Sequence, residues 1–169
     1  FKDSEKLELW ASNEDGHYSH ITSYEIQGAS GVLGPKLREG DRQGPEGLYK
    51  IIGFNPNSSY HLSMKLNYPN AFDLLHAKAE GRNEPGSNIF IHGRDLSIGC
   101  LAMGDVVIEQ LFTLVYATGK VNTEVIISPT DPSLQKLKVP LTAPKWNADL
   151  YEDIKRRYEI ITKKQVVKI

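Results

Sequence analysis

Apolar and polar positions follow two rhythms along this chain. In the first half they alternate in short runs. KLELWAS (6–12), YSHITSYEIQ (18–27), GLYKIIGF (47–54) and YHLSMKL (60–66) each predict a strand. NEDG (13–16) between the first two has hairpin chemistry, because Asp15-Gly16 tolerates positive φ. FNPNSS between the second two reads as a turn. NYPNAFDLLHAKAE (67–80) begins as a turn and continues as a short helix, and NIFIH (88–92) is an apolar run suited to a central strand. The rhythm then becomes helical. In GDVVIEQLFTLVYATGK (104–120), Val107, Leu111, Leu114 and Val115 recur at helical spacing, with Asp105 expected to cap the start and Gly119 the end. TEVIISP (123–129) predicts another strand and NADLYEDIKRRYEIITKK (147–164) a helix of mixed charge. Strands first and helices late predict an α+β fold, mainly β, with an antiparallel sheet. Residues 28–47, dense in glycine with Pro35 and Pro45, form a long loop of the kind that often carries function.

Composition narrows the function classes. With 169 residues, 40% hydrophobic and 24% charged, the chain can build one domain with a substantial core. Its formal net charge is −1, so it carries no electrostatic footprint for nucleic acid or an anionic membrane. No apolar run is long enough to span a bilayer. Residue 1 is Phe, so an export signal is expected to have been removed.

The chemistry-bearing stretch is SNIFIHGRDLSIGCLAMGD (87–105), which holds the single cysteine, Cys100. His92 ends a predicted strand, Gly93 lets the chain turn, and the 93–99 loop can bring Cys100 back beside it. An imidazole base activates a thiol, and backbone N–H groups of Ile98, Gly99 and Cys100 could face a substrate oxyanion. An imidazolium and a nearby helix start would both favour thiolate, so an accessible Cys100 with a depressed pKa is expected. A small thiol buried under the 104–119 helix is the alternative, and spacing alone leaves both open. The other histidines point to less. His17 and His20 would lie on opposite strand faces, which disfavours shared metal binding, and no acidic or cysteine cluster completes a zinc set. His61 reads as a surface strand residue and His76 as a partly buried helix histidine. The glycines of 28–34 match neither a dinucleotide nor a Walker pattern, and Asn57-Ser58-Ser59 is a common chance match to a glycosylation acceptor.

The IHG…SIGC arrangement resembles the active-site segment of the L,D-transpeptidase catalytic domain, the YkuD type. That family's pattern is His-Gly, a variable stretch, then Ser/Thr-His-Gly-Cys, usually with Arg two residues after the Cys. GDRQGPEGLYKI resembles its TPxGxF strand entry, NYPN also fits, and the likeness runs from about residue 5 to about 130. The departures are a shortened stretch before Cys100, Ile98 at the second histidine and Ala102 at the arginine. With EGDRQGPEG and CLAMGD they resemble the murein YafK-like branch.

The resemblance implies a YkuD-like β-sandwich with one or two peripheral helices, a catalytic domain over 1–145 and a C-terminal helical extension over 146–169. It implies Cys100 as nucleophile, His92 as base and the Gly93 carbonyl as the group orienting the imidazole, with no metal or organic cofactor. Peptidoglycan stem peptides would be the substrate, in the periplasm or cell envelope. Tyr68, Asn70, Arg94, Ser97, Arg42 and His76 are the candidate contacts, and the 28–47 loop with the Tyr68–Asn70 turn is expected to border the cleft. A peptidoglycan-anchored lipoprotein is a candidate partner, and the domain is expected to act as a monomer. Both transfer and hydrolysis proceed through one acyl-enzyme. Hydrolysis is expected to be at least as prominent, because fewer polar groups surround the thioester.

Overall fold

The computed structural model describes residues 1–163. Strands β1 (Lys6–Ser12) and β2 (Tyr18–Glu25) form a two-stranded antiparallel hairpin. Its turn closes as expected: Gly16 takes φ +79° and its N–H donates to the Asn13 carbonyl at 3.0 Å. The main sheet has five strands, in the order β6 (Leu101–Ala102), β5 (Phe90–His92), β4 (His61–Leu66), β3 (Gly47–Ser58) and β7 (Glu124–Ile127). All neighbours pair antiparallel except β5 and β6, which run parallel. With helices α1 (Ala71–Ala79), α2 (Asp105–Thr118) and α3 (Asn147–Thr162), the architecture is the expected mainly-β α+β fold with peripheral helices.

Helices cover both faces of the sheet, and strand alternation decides what each face buries. Tyr49, Ile51, Met64, Ile91 and Ile127 join Ile108, Leu111 and Val115 of α2 in the main core. Leu48 and Ile126, the alternate positions of β3 and β7, pack against Leu150, Tyr151 and Ile154 of α3. The C-terminal helix therefore rests on the outer face of the β3–β7 edge. Its predicted last residue, 164, lies outside the described residues.

Two local expectations change. FNPNSS is not a turn: β3 continues to Ser58, and the reversal falls at Ser59–Tyr60, with His61 at φ +73°. Asp105 does not cap α2. The cap position is Gly104, at φ +75°, and the Asp105 carboxylate instead accepts the Arg94 N–H at 2.8 Å. That bond ties the start of the 93–99 loop to the helix. Gly119 does end α2, donating to the Val115 carbonyl at 2.9 Å.

Candidate active site

Strand pairing brings the two candidate groups together. In β5–β6, Ile91 pairs with Leu101 and His92 with Ala102. Cys100 thus stands one residue before β6, level with Phe90. Side chains two apart share a face, so Cys100 and His92 are diagonal neighbours on one side of the sheet. Ile91 and Leu101 point to the other side, into or against the main core. The eight-residue separation works because β5 and β6 are adjacent and parallel, with the 93–99 loop as their crossover.

His92 is 3% exposed and lies under the Tyr60 ring, with centroids 4.6 Å apart. Its Nδ1 is 2.6 Å from the Gly93 carbonyl. A carbonyl only accepts, so Nδ1 carries the proton and Nε2 is left with a free lone pair. Gly93 is required for close packing. A Cβ there would lie 2.7 Å from Asp105 Oδ1, 2.8 Å from the Tyr60 carbonyl and 3.0 Å from Ile108.

Cys100 is half-buried, and its thiol donates weakly to the Asn88 carbonyl at 3.7 Å. Burial pushes its pKa above the ordinary cysteine value, against the pull of a Phe90 backbone N–H and the Lys36 charge. Burial likewise holds His92 below the ordinary histidine value, with the Gly93 carbonyl partly opposing. The direction is thus opposite to the depressed thiol pKa expected from the sequence. The helix that should have stabilised thiolate starts only at Asp105, with β6, Met103 and Gly104 between. At neutral pH the resting pair is thiol and neutral imidazole.

A cavity of about 360 Å³ opens beside the cysteine. The main sheet curls so that its edge strands, β6 with Cys100 and Leu101 and β7 with Ile127, face this common space. Ala29–Leu33, Gly44 and Pro45 close it, so the 28–47 loop borders the thiol as expected. Ser30, absent from the sequence reading, joins loop to nucleophile: Gly99 N–H donates to Ser30 Oγ at 2.7 Å. Nothing in the local pattern of 28–31 marks that serine, because its partner is 69 residues away.

The remaining candidate contacts divide. Tyr68 is 4% exposed and donates its hydroxyl to the Pro85 carbonyl at 2.7 Å. Asn70 caps α1, accepting the Asp73 N–H at 3.0 Å and donating to the Leu48 carbonyl at 3.0 Å. His76 stacks on Trp146 at 4.6 Å and against Phe72 at 4.4 Å, tying α1 to the start of α3. The polar atoms of Tyr68 and Asn70 and the ring of His76 are thus engaged by the fold. Arg94 and Arg42 are exposed, both at positive φ, and the side chain of Ile98 is 72% exposed. Ser97 Oγ is buried without a hydrogen-bond partner among the described residues. No group of metal-binding side chains occurs among the described residues, and no described helix is long and apolar enough to cross a membrane.

The comparisons with known proteins identify the family and the fold. The L,D-transpeptidase catalytic domain model, YkuD, matches residues 9–127. YafK of Escherichia coli (strain K12), whose curated name gives its L,D-transpeptidase activity as provisional, is 34% identical over 146 residues, covering 82% of this chain and 56% of YafK. The chain thus spans little more than half of that relative. Among solved structures, the helical cell shape determining protein Pgp2 from Campylobacter jejuni is similar with a TM-score of 0.61 and 26% identity, covering 77% of this chain and 46% of Pgp2. Bd1075 of Bdellovibrio bacteriovorus is similar at a TM-score of 0.54 and 25% identity, covering 94% of this chain and 53% of Bd1075. With its His-Gly at the end of β5 and its cysteine at the entry to the adjacent β6, both inside the matched region, the chain belongs to the YkuD family of L,D-transpeptidase catalytic domains.

Proposed function

We propose that this domain is a cysteine-dependent acyl-transfer enzyme acting on diaminopimelate-containing peptidoglycan stem peptides in the bacterial periplasm or cell envelope. One observation carries the reading: the Gly93 carbonyl holds the proton on His92 Nδ1, leaving a lone pair on Nε2, on the sheet face that also carries Cys100. A base on the same sheet face as a lone, cavity-lining thiol is the arrangement that supports thiol acyl transfer.

The steps follow. The thiol leaves its weak contact with the Asn88 carbonyl and gives its proton to Nε2 as sulfur attacks the substrate carbonyl. Gly99 N–H already donates to Ser30 Oγ, so the backbone N–H groups of Ile98 and Cys100 are the donors left for the oxyanion. The imidazolium protonates the departing amine, and a thioester to Cys100 remains. Water, deprotonated by Nε2, then releases the acid, or a diaminopimelate amine takes the acyl group and forms a 3→3 crosslink. A thiol and imidazole that rest neutral need this coupled proton transfer, because little thiolate exists beforehand at pH 7. No metal or organic cofactor enters. Arg94 and Ser97 are the contacts this site supports best, the first exposed beside the histidine and the second with an unpaired hydroxyl. Arg42 would add a surface charge on the loop.

Hydrolysis is proposed as at least as prominent as crosslinking. Transfer must hold an acceptor amine in near-attack geometry, whereas hydrolysis needs a water and one base. Ile98 and Ala102 supply no polar group where the family pattern has histidine and arginine. By its likeness to a cell-shape determinant, trimming of stem peptides with an effect on cell shape is the expected role, and release of peptidoglycan-linked protein is a second outlet for the same acyl-enzyme. Incubation with purified muropeptides, read by mass spectrometry, tests this. Cleaved stems absent from Cys100→Ser support it. Crosslinked dimers dominating over cleaved monomers would make it a transpeptidase instead, and no product at all would leave a binding module.

A further inference from the structure

Loop 93–99 carries the nucleophile at its end, yet little holds it. At its start, Arg94 is tied by two backbone bonds: its N–H to Asp105 Oδ1 at 2.8 Å and its carbonyl to Gly104 N–H at 2.9 Å. From Asp95 to Ile98 no backbone N–H makes a hydrogen bond among the described residues, and Leu96 and Ile98 are 76% and 72% exposed. The next tie is Gly99 N–H to Ser30 Oγ at 2.7 Å. Gly99 sits at φ +83°, where it turns the chain into β6 against the Gln43 backbone.

Ser30 is itself fixed on two sides. Its hydroxyl donates to the Arg42 carbonyl at 2.7 Å, and its carbonyl accepts the Gly44 N–H at 3.4 Å. A hydroxyl can accept and donate at once, so one small side chain links the nucleophile loop, residues 28–31 and residues 42–44. Alanine would orphan both the Gly99 N–H and the Arg42 carbonyl, and threonine would keep the hydroxyl. Ser30 also lines the cavity that Cys100 lines. The small side chain there stands next to the reacting group without touching the sulfur in any contact of the structure.

We propose that Ser30 is a positioning residue for the nucleophile, holding the peptide before Cys100 through the Gly99 N–H so that the thiol is presented to substrate in one orientation. The proposal rests on the reading of Cys100 as nucleophile. It has a further consequence for that reading. In the resting state Gly99 N–H is occupied by Ser30, so the oxyanion relies on the other donors of the turn. A hydroxyl that merely competed with substrate for that N–H would have the opposite effect on rate.

The test is Ser30→Ala and Ser30→Thr in the whole domain, with two readouts. Turnover of diaminopimelate-containing muropeptides should show kcat down roughly tenfold in Ser30→Ala at unchanged KM, about the effect of one neutral hydrogen bond. Ser30→Thr should restore it. Amide hydrogen exchange by NMR should show Gly99 protected in the wild type and in Ser30→Thr and at least tenfold faster in Ser30→Ala, with the amides of β3 and β4 unchanged. A merely structural serine would move the exchange or the melting temperature and leave kcat alone. Unchanged or higher kcat in Ser30→Ala overturns the proposal, and a raised KM at constant kcat makes Ser30 a substrate contact instead. A wild-type Gly99 amide exchanging as fast as those of Leu96 and Ile98 overturns it with no variant needed. If the wild type turns over no muropeptide, the reading of Cys100 fails, and Gly99 exchange still decides whether Ser30 anchors the loop.

Discussion

Glu46 and His92 are both buried polar side chains, 1% and 3% exposed, and their surroundings differ in kind. Glu46 Oε1 accepts the Gly34 N–H at 2.7 Å and pairs with Lys2 Nζ at 3.0 Å, and Oε2 accepts the Tyr151 hydroxyl at 2.7 Å. Lys2 Nζ also donates to the Gly34 and Gly44 carbonyls at 3.0 Å each. The charge is answered on every side, and the answers come from the N-terminus, the 28–47 loop and α3. Such a cluster locks segments together and has nothing left to offer a ligand. Around His92 and Cys100 the polar groups are under-used. Among the described residues Nε2 and Ser97 Oγ have no partner, and the thiol donates only weakly, at 3.7 Å. Leaving groups unpaired costs stability, and the sheet beneath supplies the rigidity that tolerates it. Spare hydrogen-bonding capacity, rather than burial or charge, separates the proposed reactive cluster from the structural one.

The largest expected effects break the comparison at the reactive end. His92→Ala should lower muropeptide turnover by about 10²–10⁴-fold, the usual range for a lost general base. Cys100→Ser should abolish it to background. Cys100 is half-buried with one weak bond, so Cys100→Ser should keep its melting temperature within a few degrees, whereas His92→Ala empties a buried site under Tyr60 and should melt lower while remaining folded. A large drop in Cys100→Ser would favour the buried-thiol alternative, since a hydroxyl in an apolar site lacks a partner.

At the structural end the outcome should reverse. Glu46→Ala leaves Lys2 buried without its counter-ion and strips the Tyr151 hydroxyl of its acceptor. Removing one partner of a buried pair costs about 3–5 kcal/mol. Lys2 retains some solvent contact, 13% of its side chain, so the lower end is expected. Thermal unfolding should shift down by roughly 6–12 °C for a domain of this size. A shift under about 2 °C would mean that the network is dispensable and the contrast overdrawn.

How much of this was readable from the sequence depends on how far apart the partners lie. The β1–β2 hairpin, α2 and its Gly119 end follow from local periodicity and turn chemistry. His92 and Cys100 were legible as a pair because they are eight residues apart and a glycine follows one and precedes the other. The Glu46 cluster was not, because Lys2 and Tyr151 stand 44 and 105 residues away, and Ser30 was missed for the same reason. Tyr68 and Asn70 are expected as substrate contacts on a turn bordering the cleft, and their hydroxyl and amide are engaged within the fold, at the Pro85 carbonyl and the start of α1. A turn's place in the sequence is silent on whether its polar groups face the substrate or the backbone. The direction of the thiol shift escaped for a related reason. The sequence shows a helix ahead, and only the structure shows the burial at Cys100 that outweighs it.

Gly93→Ala sharpens the contrast at smaller cost. The methyl would meet Asp105 Oδ1 at 2.7 Å, the Tyr60 carbonyl at 2.8 Å and Ile108 at 3.0 Å. Overpacking of this kind costs about 1–3 kcal/mol. Two of the contacts are ones that the site uses: Asp105 holds the Arg94 N–H, and Tyr60 covers the imidazole. The variant should therefore lose activity out of proportion to its stability, with a melting temperature a few degrees lower and turnover down at least tenfold. Equal melting temperature and equal turnover would show that the neighbours move aside freely.

The smallest effect concerns protons at rest. Burial raises the Cys100 pKa in the folded chain, so the folded state holds that proton more tightly than the unfolded state. The stabilisation from the neutral thiol is present in full below the unfolded cysteine value, and it is lost as pH rises through the higher folded value. His92 works in the other direction. Its lowered pKa makes the neutral ring the favoured folded form, so its contribution is present above the ordinary histidine value and is lost as pH falls through the lower folded one. Between those windows both groups are neutral and the site is at rest. Iodoacetamide alkylation against pH should therefore give a midpoint above about 8.5, the value of a free cysteine. Melting temperature should decline slightly in the same alkaline range, and Cys100→Ala should remove that slope. The change is small because the thiol is only half-buried. A midpoint well below that of free cysteine, together with its loss in His92→Ala, would show a thiolate–imidazolium pair already formed at rest. The proton would then be transferred before substrate arrives, and the under-used site described above would be a charged one in solution.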